Sequence, residues 1–167
     1  MFQSTRQKIT SRIVFSIYFV LLIWLVLFKF TVSFSDLPSI RYINWIPFYY
    51  EYETNTHLSE VIYNILAFIP LGIYIHVFRV DLKLLRKCLV VFLISFIFEA
   101  IQFVFAIGVS DVTDLIGNTL GGFIGIVLCI AMGKFMPKKF IAIINSLGLV
   151  AETVVIGFML LLWLKNR

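Results

Sequence analysis

The sequence predicts an all-α integral membrane protein, a compact bundle of about five transmembrane helices. The first observation is composition, since 61% of the 167 residues are apolar and the mean hydropathy is +1.02. The second is that the apolar residues gather in five runs, and the third is that basic residues separate these runs. Because a spanning helix needs about 20 residues, five helices leave no room for a separate soluble domain. We therefore expect one membrane domain over residues 1–167 and localisation in the cell membrane as a multi-pass protein.

The five apolar runs are each long enough to cross a bilayer. They cover residues 13–28, 61–78, 88–107, 115–132 and 140–164. Basic residues precede the first run, as in a secretory signal, but no small-residue cleavage site follows it. We therefore expect the first run to be a retained helix, with the lipid bilayer as the protein's main partner.

The distribution of positive charge predicts the orientation. Ten of the 14 Lys and Arg residues precede the first run, or lie between the second and third or the fourth and fifth. Cytoplasmic loops carry this excess, so we expect a cytoplasmic N-terminus and, after five spans, an extracellular C-terminus. The net charge of +5 follows these loops instead of forming a stripe on a soluble face, and we expect no nucleic-acid partner.

The connection over residues 29–60 is rich in aromatic side chains and is expected outside the cell. Aromatic residues settle at the headgroup level of membranes, so one interpretation is an interfacial anchor. The other is a segment that covers a lipid- or ligand-binding groove. The aromatic residues are Phe34, Tyr42, Trp45, Phe48, Tyr49, Tyr50 and Tyr52.

Polar residues within the apolar runs are the candidate ligand-binding residues. Glu99 is the most informative, because a carboxylate inside a span costs about 2.5 to 3.5 kcal/mol even on lenient scales. Gln102 follows it at i+3 on the same helix face, and Asp114 and Asn118 are related by i+4 on the next helix. Asn64 lies in the first turns of the second helix, at the same expected depth in the membrane as these four residues. These five residues predict a polar pocket that opens outward, although Gln102 also fits a structural hydrogen bond between helices.

Three carboxylates are the candidate catalytic residues: Glu99, Asp111 and Asp114. Carboxylates can act as acid and base or as oxygen ligands of a divalent cation. Asp111 also fits the N-cap of the fourth helix, with Asp114 three residues later as in a capping box, and both roles can coexist. The sequence lacks H-E-x-x-H, G-x-S-x-G and a Gly-rich phosphate loop. We therefore expect no dedicated metal site or cofactor, and an enzyme is the less favoured class.

Proline and glycine residues have expected structural roles. Pro70, with Gly72 beside it, frees a backbone carbonyl and predicts a kink in the second helix. Gly117, Gly121 and Gly125 recur every four residues along the fourth helix. Such a stripe lets another helix backbone approach closely, either within the chain or in a dimer.

Three segments together resemble the VanZ family of bacterial membrane proteins. They are "NWIPF" at 44–48, "NILAFIPLGIYI" at 64–75 and "FEAIQFVFAIGVSDVTDLIGNTLGGFIG" at 98–125, within a motif-bearing region of about 21–133. Many relatives have a basic residue where this chain has Ser110. The family motif corresponds here to Asn64, Pro70, Gly72, Glu99, Gln102, Asp111, Asp114, Asn118 and Gly121.

The resemblance implies a membrane protein of Gram-positive type that lowers susceptibility to the lipoglycopeptide teicoplanin. Combined with the polar pocket, it favours a resistance factor that engages the drug, or a lipid-linked cell-wall precursor, at the outer leaflet. The alternative is an enzyme that modifies an envelope lipid or precursor with Glu99, Asp111 and Asp114. A transporter is less favoured, because five helices offer no paired inverted repeat.

Overall fold

The computed structural model describes residues 4–28, 40–49, 55–136 and 139–165. Five helices account for most of these residues, and each is long and apolar enough to cross a membrane. The prediction of a helical, multi-pass membrane protein with five spans is therefore confirmed. The helices are α1 (Thr5–Phe28), α2 (Asn55–Phe78), α3 (Leu84–Phe105), α4 (Val112–Phe135) and α5 (Phe140–Lys165).

A two-stranded parallel sheet, which was not predicted from the sequence, packs against α3. Strand β1 (Ile40–Asn44) pairs with β2 (Ile107–Asp111), with Ile40 opposite Ile107 and Asn44 opposite Asp111. Both strands pack against α3. Residues 108–110, which lie between the third and fourth apolar runs, are extended, because pairing with a strand more than 60 residues earlier satisfies their backbone. Periodicity within a single run does not reveal a pairing of that sequence separation.

The described contacts divide the chain into two units. One contains β1, α2, α3, β2 and α4 as far as Ile130; the other contains the end of α4 with α1 and α5. Each unit is described separately below, and the expectation of a single domain stays a prediction.

Glycines set the spacing of α2 and α4 in the first unit. A Cβ on Gly121 would overlap the carbonyl of Ile65, and one on Gly125 would overlap the carbonyl of Ile69. On α2, a Cβ on Gly72 would overlap the carbonyl of Gly122. The two helices therefore touch backbone to backbone, and the predicted small-residue stripe serves a contact within the chain. Helix α2 continues through Pro70.

A short connection joins α2 to α3 and carries an exposed ion pair. Arg79 Nη2 lies 3.2 Å from Asp81 Oδ2. The hydrogen bond and charge of Arg79 hold the pKa of Asp81 below its usual value, and Asp81 raises the pKa of Arg79.

Lys87 differs from the other basic residues near this connection, because it is 3% exposed. Its Nζ lies 3.1 Å from His76 Nδ1 and donates to the carbonyl of Val80 at 3.3 Å.

In the second unit, α1 packs against α5 through a polar contact within an apolar interface. Asn145 Nδ2 donates to Ser11 Oγ at 3.0 Å, and both residues are buried. Two turns further along α5, Glu152 is 6% exposed. Among the residues that the structure describes, neither of its carboxylate oxygens has a hydrogen-bond partner. Glu152 was not among the predicted polar residues, although, like Glu99, it is a carboxylate inside an apolar run.

Replacing Glu152 with an apolar residue is expected to stabilise the protein. Glu152→Met keeps an unbranched side chain of similar length and removes buried polar atoms, so we expect a gain of about 1 to 3 kcal/mol in the free energy of unfolding. Thermal unfolding in detergent micelles would measure it. The exposed Glu60 provides the control, because Glu60→Met should change stability little. A clear loss of stability in Glu152→Met would show that this carboxylate makes a favourable interaction.

Candidate functional site

Glu99 joins α3 to the second strand. Its Oε2 accepts a hydrogen bond from the backbone N–H of Asp111 at 2.9 Å, and its carbonyl accepts one from Ser110 Oγ at 2.7 Å. Glu99 is 8% exposed and Ser110 is 5% exposed. Ser110 thus has a structural partner within the chain.

Asp111 joins β1 to the first turn of α4. Its Oδ1 accepts the N–H of Thr113 at 2.7 Å, which is the expected capping interaction at the start of α4. Its Oδ2 accepts Asn44 Nδ2 at 3.1 Å. The same Asn44 side chain donates to the carbonyl of Tyr49 and accepts the N–H of Ile46. Asn44 therefore connects the aromatic-rich connection over residues 29–60, called the aromatic segment below, to β2. Sequence reasoning missed this role, because it depends on the strand register.

The other predicted polar residues lie along the contacts among α2, α3 and α4. Asp114 Oδ1 accepts Asn64 Nδ2 at 2.7 Å, linking α4 to α2. Asn118 Nδ2 donates to Ser95 Oγ at 2.9 Å, linking α4 to α3. Gln102 is 1% exposed and lies beside Gly108 of β2. Asp114 thus has a hydrogen-bond partner on α2. The sequence had suggested that Asp114 belongs to a capping box with Asp111 at the start of α4.

A cavity of about 270 Å³ lies between α3, the two strands and the start of α4. Its accessible wall is almost entirely apolar, and its polar lining residues are Glu99, Ser110 and Asp111. The remaining lining residues are Ile43, Trp45, Phe96, Ala100, Phe103, Val112 and Leu115.

Glu99 is the only one of the five predicted ligand-binding residues that lines this cavity. Asn64, Gln102, Asp114 and Asn118 are not among the lining residues. The helical period explains the difference. Residues 96, 99, 100 and 103 of α3 share the face toward the cavity, whereas residues 95, 99 and 102 share the buried face. Glu99 belongs to both faces, so sequence spacing alone assigned Gln102 to the same pocket.

The aromatic segment contributes directly to the cavity. Trp45 lines it although its side chain is 72% exposed, and Phe48 N–H donates to Thr113 Oγ1 at 3.0 Å. These contacts fit the interpretation that the segment borders a binding groove. Tyr42 and Tyr49 are exposed, while Phe34, Tyr50 and Tyr52 lie outside the described residues.

Arg41 is a further residue beside the cavity that sequence reasoning counted only as a charge. Its Nη2 donates to the carbonyl of Val104 at 3.1 Å, and its guanidinium lies 5.9 Å from the ring centroid of Phe103. Val104 belongs to the last turn of α3, where carbonyls lack helical partners. Arg41 therefore donates a hydrogen bond to a carbonyl at the C-terminal end of α3. It also places a positive charge next to the ring of Phe103, which lines the cavity.

The three candidate carboxylates do not form one cluster. Glu99 and Asp111 lie together at the cavity, whereas Asp114 is paired with Asn64. Within the described ranges, no group of three His, Cys, Asp or Glu residues is arranged to hold a metal ion. The structure therefore gives no support to a divalent cation shared by Glu99, Asp111 and Asp114.

Comparison with known proteins identifies the relatives of this chain. The sequence model of the VanZ/LLP1 family matches residues 15–133, which include α2, α3, both cavity carboxylates and most of α4. Protein VanZ of Enterococcus faecium is 40% identical over 134 residues, covering 79% of this chain and 81% of that protein. No solved structure matches significantly. The match to the family over most of the chain, together with five membrane-spanning helices, shows that this protein belongs to the VanZ/LLP1 family.

Proposed function

We propose that the protein lowers susceptibility to teicoplanin-type lipoglycopeptides by engaging the drug, or a lipid-linked envelope component, in the cavity beside Glu99. The observation that carries this proposal is the cavity itself, whose accessible wall is almost entirely apolar and whose lining residues include the carboxylates Glu99 and Asp111. Ligand pockets combine such apolar walls with a few polar groups that fix orientation. A lipid-bearing ligand has the matching distribution of apolar and polar surface.

We further propose that the cavity faces the outer leaflet. It lies where α3 ends and α4 begins. The connection at the opposite end of α3 belongs to the positively charged set that marks cytoplasmic loops. A lipoglycopeptide or a lipid-linked precursor at the cell surface would then reach the cavity without crossing the membrane.

Antibiotic susceptibility of a Gram-positive host would test the proposal. We expect the wild type to raise the inhibitory concentration of teicoplanin more than that of vancomycin, which lacks a lipid tail. Glu99→Gln removes the charge but keeps an acceptor for the Asp111 N–H. The loss of charge would weaken the hydrogen bond from the Asp111 N–H that shapes this wall of the cavity. A distorted wall should bind the ligand about tenfold less tightly, so the variant should lose most of the protection.

Two controls make that experiment decisive. Asp81→Asn changes an exposed carboxylate in the α2–α3 connection and should protect like the wild type. Ala100→Phe fills the cavity without touching a carboxylate and should lose protection. Membrane abundance must be equal for all variants. Full protection by both Glu99→Gln and Ala100→Phe at equal abundance would contradict the proposal.

The alternative is an enzyme that modifies an envelope lipid or precursor. It is favoured by the presence of Glu99 and Asp111 on one cavity wall, since paired carboxylates can divide acid and base roles. Asp114 has no place in this version, because it contacts Asn64 and does not line the cavity. Lipid and drug mass spectra from expressing cells should then show a product that disappears with Glu99→Gln, and unchanged spectra would count against an enzyme.

A further inference from the structure

The guanidinium of Arg41 has capacity for a ligand at the edge of the cavity. A guanidinium carries five N–H donors. Within residues 4–28, 40–49, 55–136 and 139–165, the one hydrogen bond found for Arg41 goes to the carbonyl of Val104. The ion pair found in these ranges joins Arg79 to Asp81, so no described carboxylate neutralises Arg41. Among the residues that the structure describes, nothing neutralises the Arg41 charge and most of its N–H donors have no acceptor.

The position of this charge separates two parts of the site. Phe103, beneath the guanidinium, lies one helical turn beyond Glu99 toward the end of α3. Both cavity carboxylates bond to protein donors, since the Asp111 side chain accepts two hydrogen bonds and Glu99 accepts the N–H of Asp111 at Oε2. Arg41 therefore lies at the end of the cavity nearest the C-terminus of α3. Glu99 and Asp111 form a separate part of the site, in which they are hydrogen-bonded to the protein itself.

We propose that the cavity binds a lipid with one apolar chain and a phosphate headgroup, with the part of the chain nearest the headgroup inside the cavity and the phosphate on Arg41. Planar guanidinium groups bind phosphate through paired N–H donors. The volume of about 270 Å³ lies just below the range of about 300 to 1,000 Å³ for drug-sized pockets, which suits one chain better than two. A cationic headgroup would be repelled by Arg41, and an uncharged one would leave its donors unused.

This inference rests on the proposed function and narrows it. Of the two ligands considered there, it selects the lipid-linked envelope component, because that component can carry phosphate beside a single chain. The protein would then act on the pool or the accessibility of such a lipid, and the lipoglycopeptide would not need to occupy the cavity.

Binding of matched lipids to the purified full chain tests the inference. The protein is held in maltoside micelles, which contain no phosphate, and titrated with a polyprenyl monophosphate or with the corresponding polyprenol. We expect the wild type to bind the phosphate at least tenfold more tightly, a difference of about 1.4 kcal/mol. Phosphatidic acid, which has two chains, should bind more weakly than the polyprenyl phosphate.

Variants assign the preference to the two parts of the site. Arg41→Gln should remove the tenfold preference and leave polyprenol binding unchanged, which also shows that the variant is folded. Ala100→Phe should weaken both ligands equally. The control is Arg79→Gln, which removes an exposed arginine outside the cavity and should bind like the wild type. Arg41→Lys should keep part of the preference, because it retains a charge without the planar donors.

Two results would overturn the inference: a wild type without preference for the phosphate, or an Arg41→Gln variant that keeps it. The second would mean that Arg41 only completes the end of α3. Failure of the proposed function would give a different combination of results. If the lipid preference depends on Arg41 but wild type gives no protection against teicoplanin, the lipid site stands and the resistance role fails.

Discussion

Gly121→Ala is expected to destabilise the protein by about 1 to 3 kcal/mol, the usual cost of inserting a methyl group into a packed contact. The added Cβ would overlap the carbonyl of Ile65 on α2. A backbone atom within a helix cannot rotate aside as a side chain does, so the two helices would have to move apart. The loss should appear as a lower thermal midpoint in detergent and as a lower membrane abundance.

Gly117→Ala is the matched control, one turn away on the same helix. There the added Cβ would lie 3.7 Å from the carbonyl of Val61, an ordinary van der Waals distance. Replacing glycine within a helix by alanine also gains about 0.5 to 1 kcal/mol. We therefore expect Gly117→Ala to be neutral or stabilising. Equal effects of the two substitutions would contradict the backbone contact between α2 and α4.

The glycine stripe illustrates how far sequence reasoning reaches in this protein. A repeat of four residues indicates that one face of α4 is small, and this follows from helical geometry alone. Which helix occupies that face, and which of its glycines touches backbone, depends on the tilt and rotation of α2. For this reason Gly117 and Gly121 cannot be distinguished in the sequence. In the structure, only Gly121 of these two lies too close to the α2 backbone to accommodate a Cβ.

The candidate site shows the same division. The polar residues of α3 and α4 were predicted from the cost of placing them in a membrane, and Glu99 lies at the cavity. The roles of Asn44 and Arg41 were missed, because both follow from the parallel pairing of β1 with β2. That pairing places Asn44 opposite Asp111 and brings Arg41 to the end of α3. Neither strand has an apolar pattern long enough to predict its partner.

Asp111→Ala is expected to cause the other large loss, about 2 to 4 kcal/mol. Removing a helix cap costs about 1 kcal/mol, and a hydrogen bond to a charged group contributes about 1.5 to 3 kcal/mol. Asp111 provides both, through Thr113 and Asn44. Asp111→Asn should lose less, because asparagine caps helices as well as aspartate, although its amide would no longer offer two acceptors. Unfolding in mixed micelles at increasing SDS concentration would measure these values.

The matched control for Asp111 is Asp81→Asn. Asp81 forms an exposed pair with Arg79, and exposed substitutions of this kind change stability by about 0.5 kcal/mol or less. A double-mutant cycle of Asp111→Ala with Asn44→Ala isolates the contact between β1 and the start of α4, and we expect a coupling of about 0.5 to 3 kcal/mol. A coupling near zero would mean that Asp111 acts through the cap alone. Because Asn44 also binds the Tyr49 carbonyl, strong coupling would instead show that Asp111 holds the aromatic segment beside the cavity, so that its loss should weaken lipid binding as well as stability.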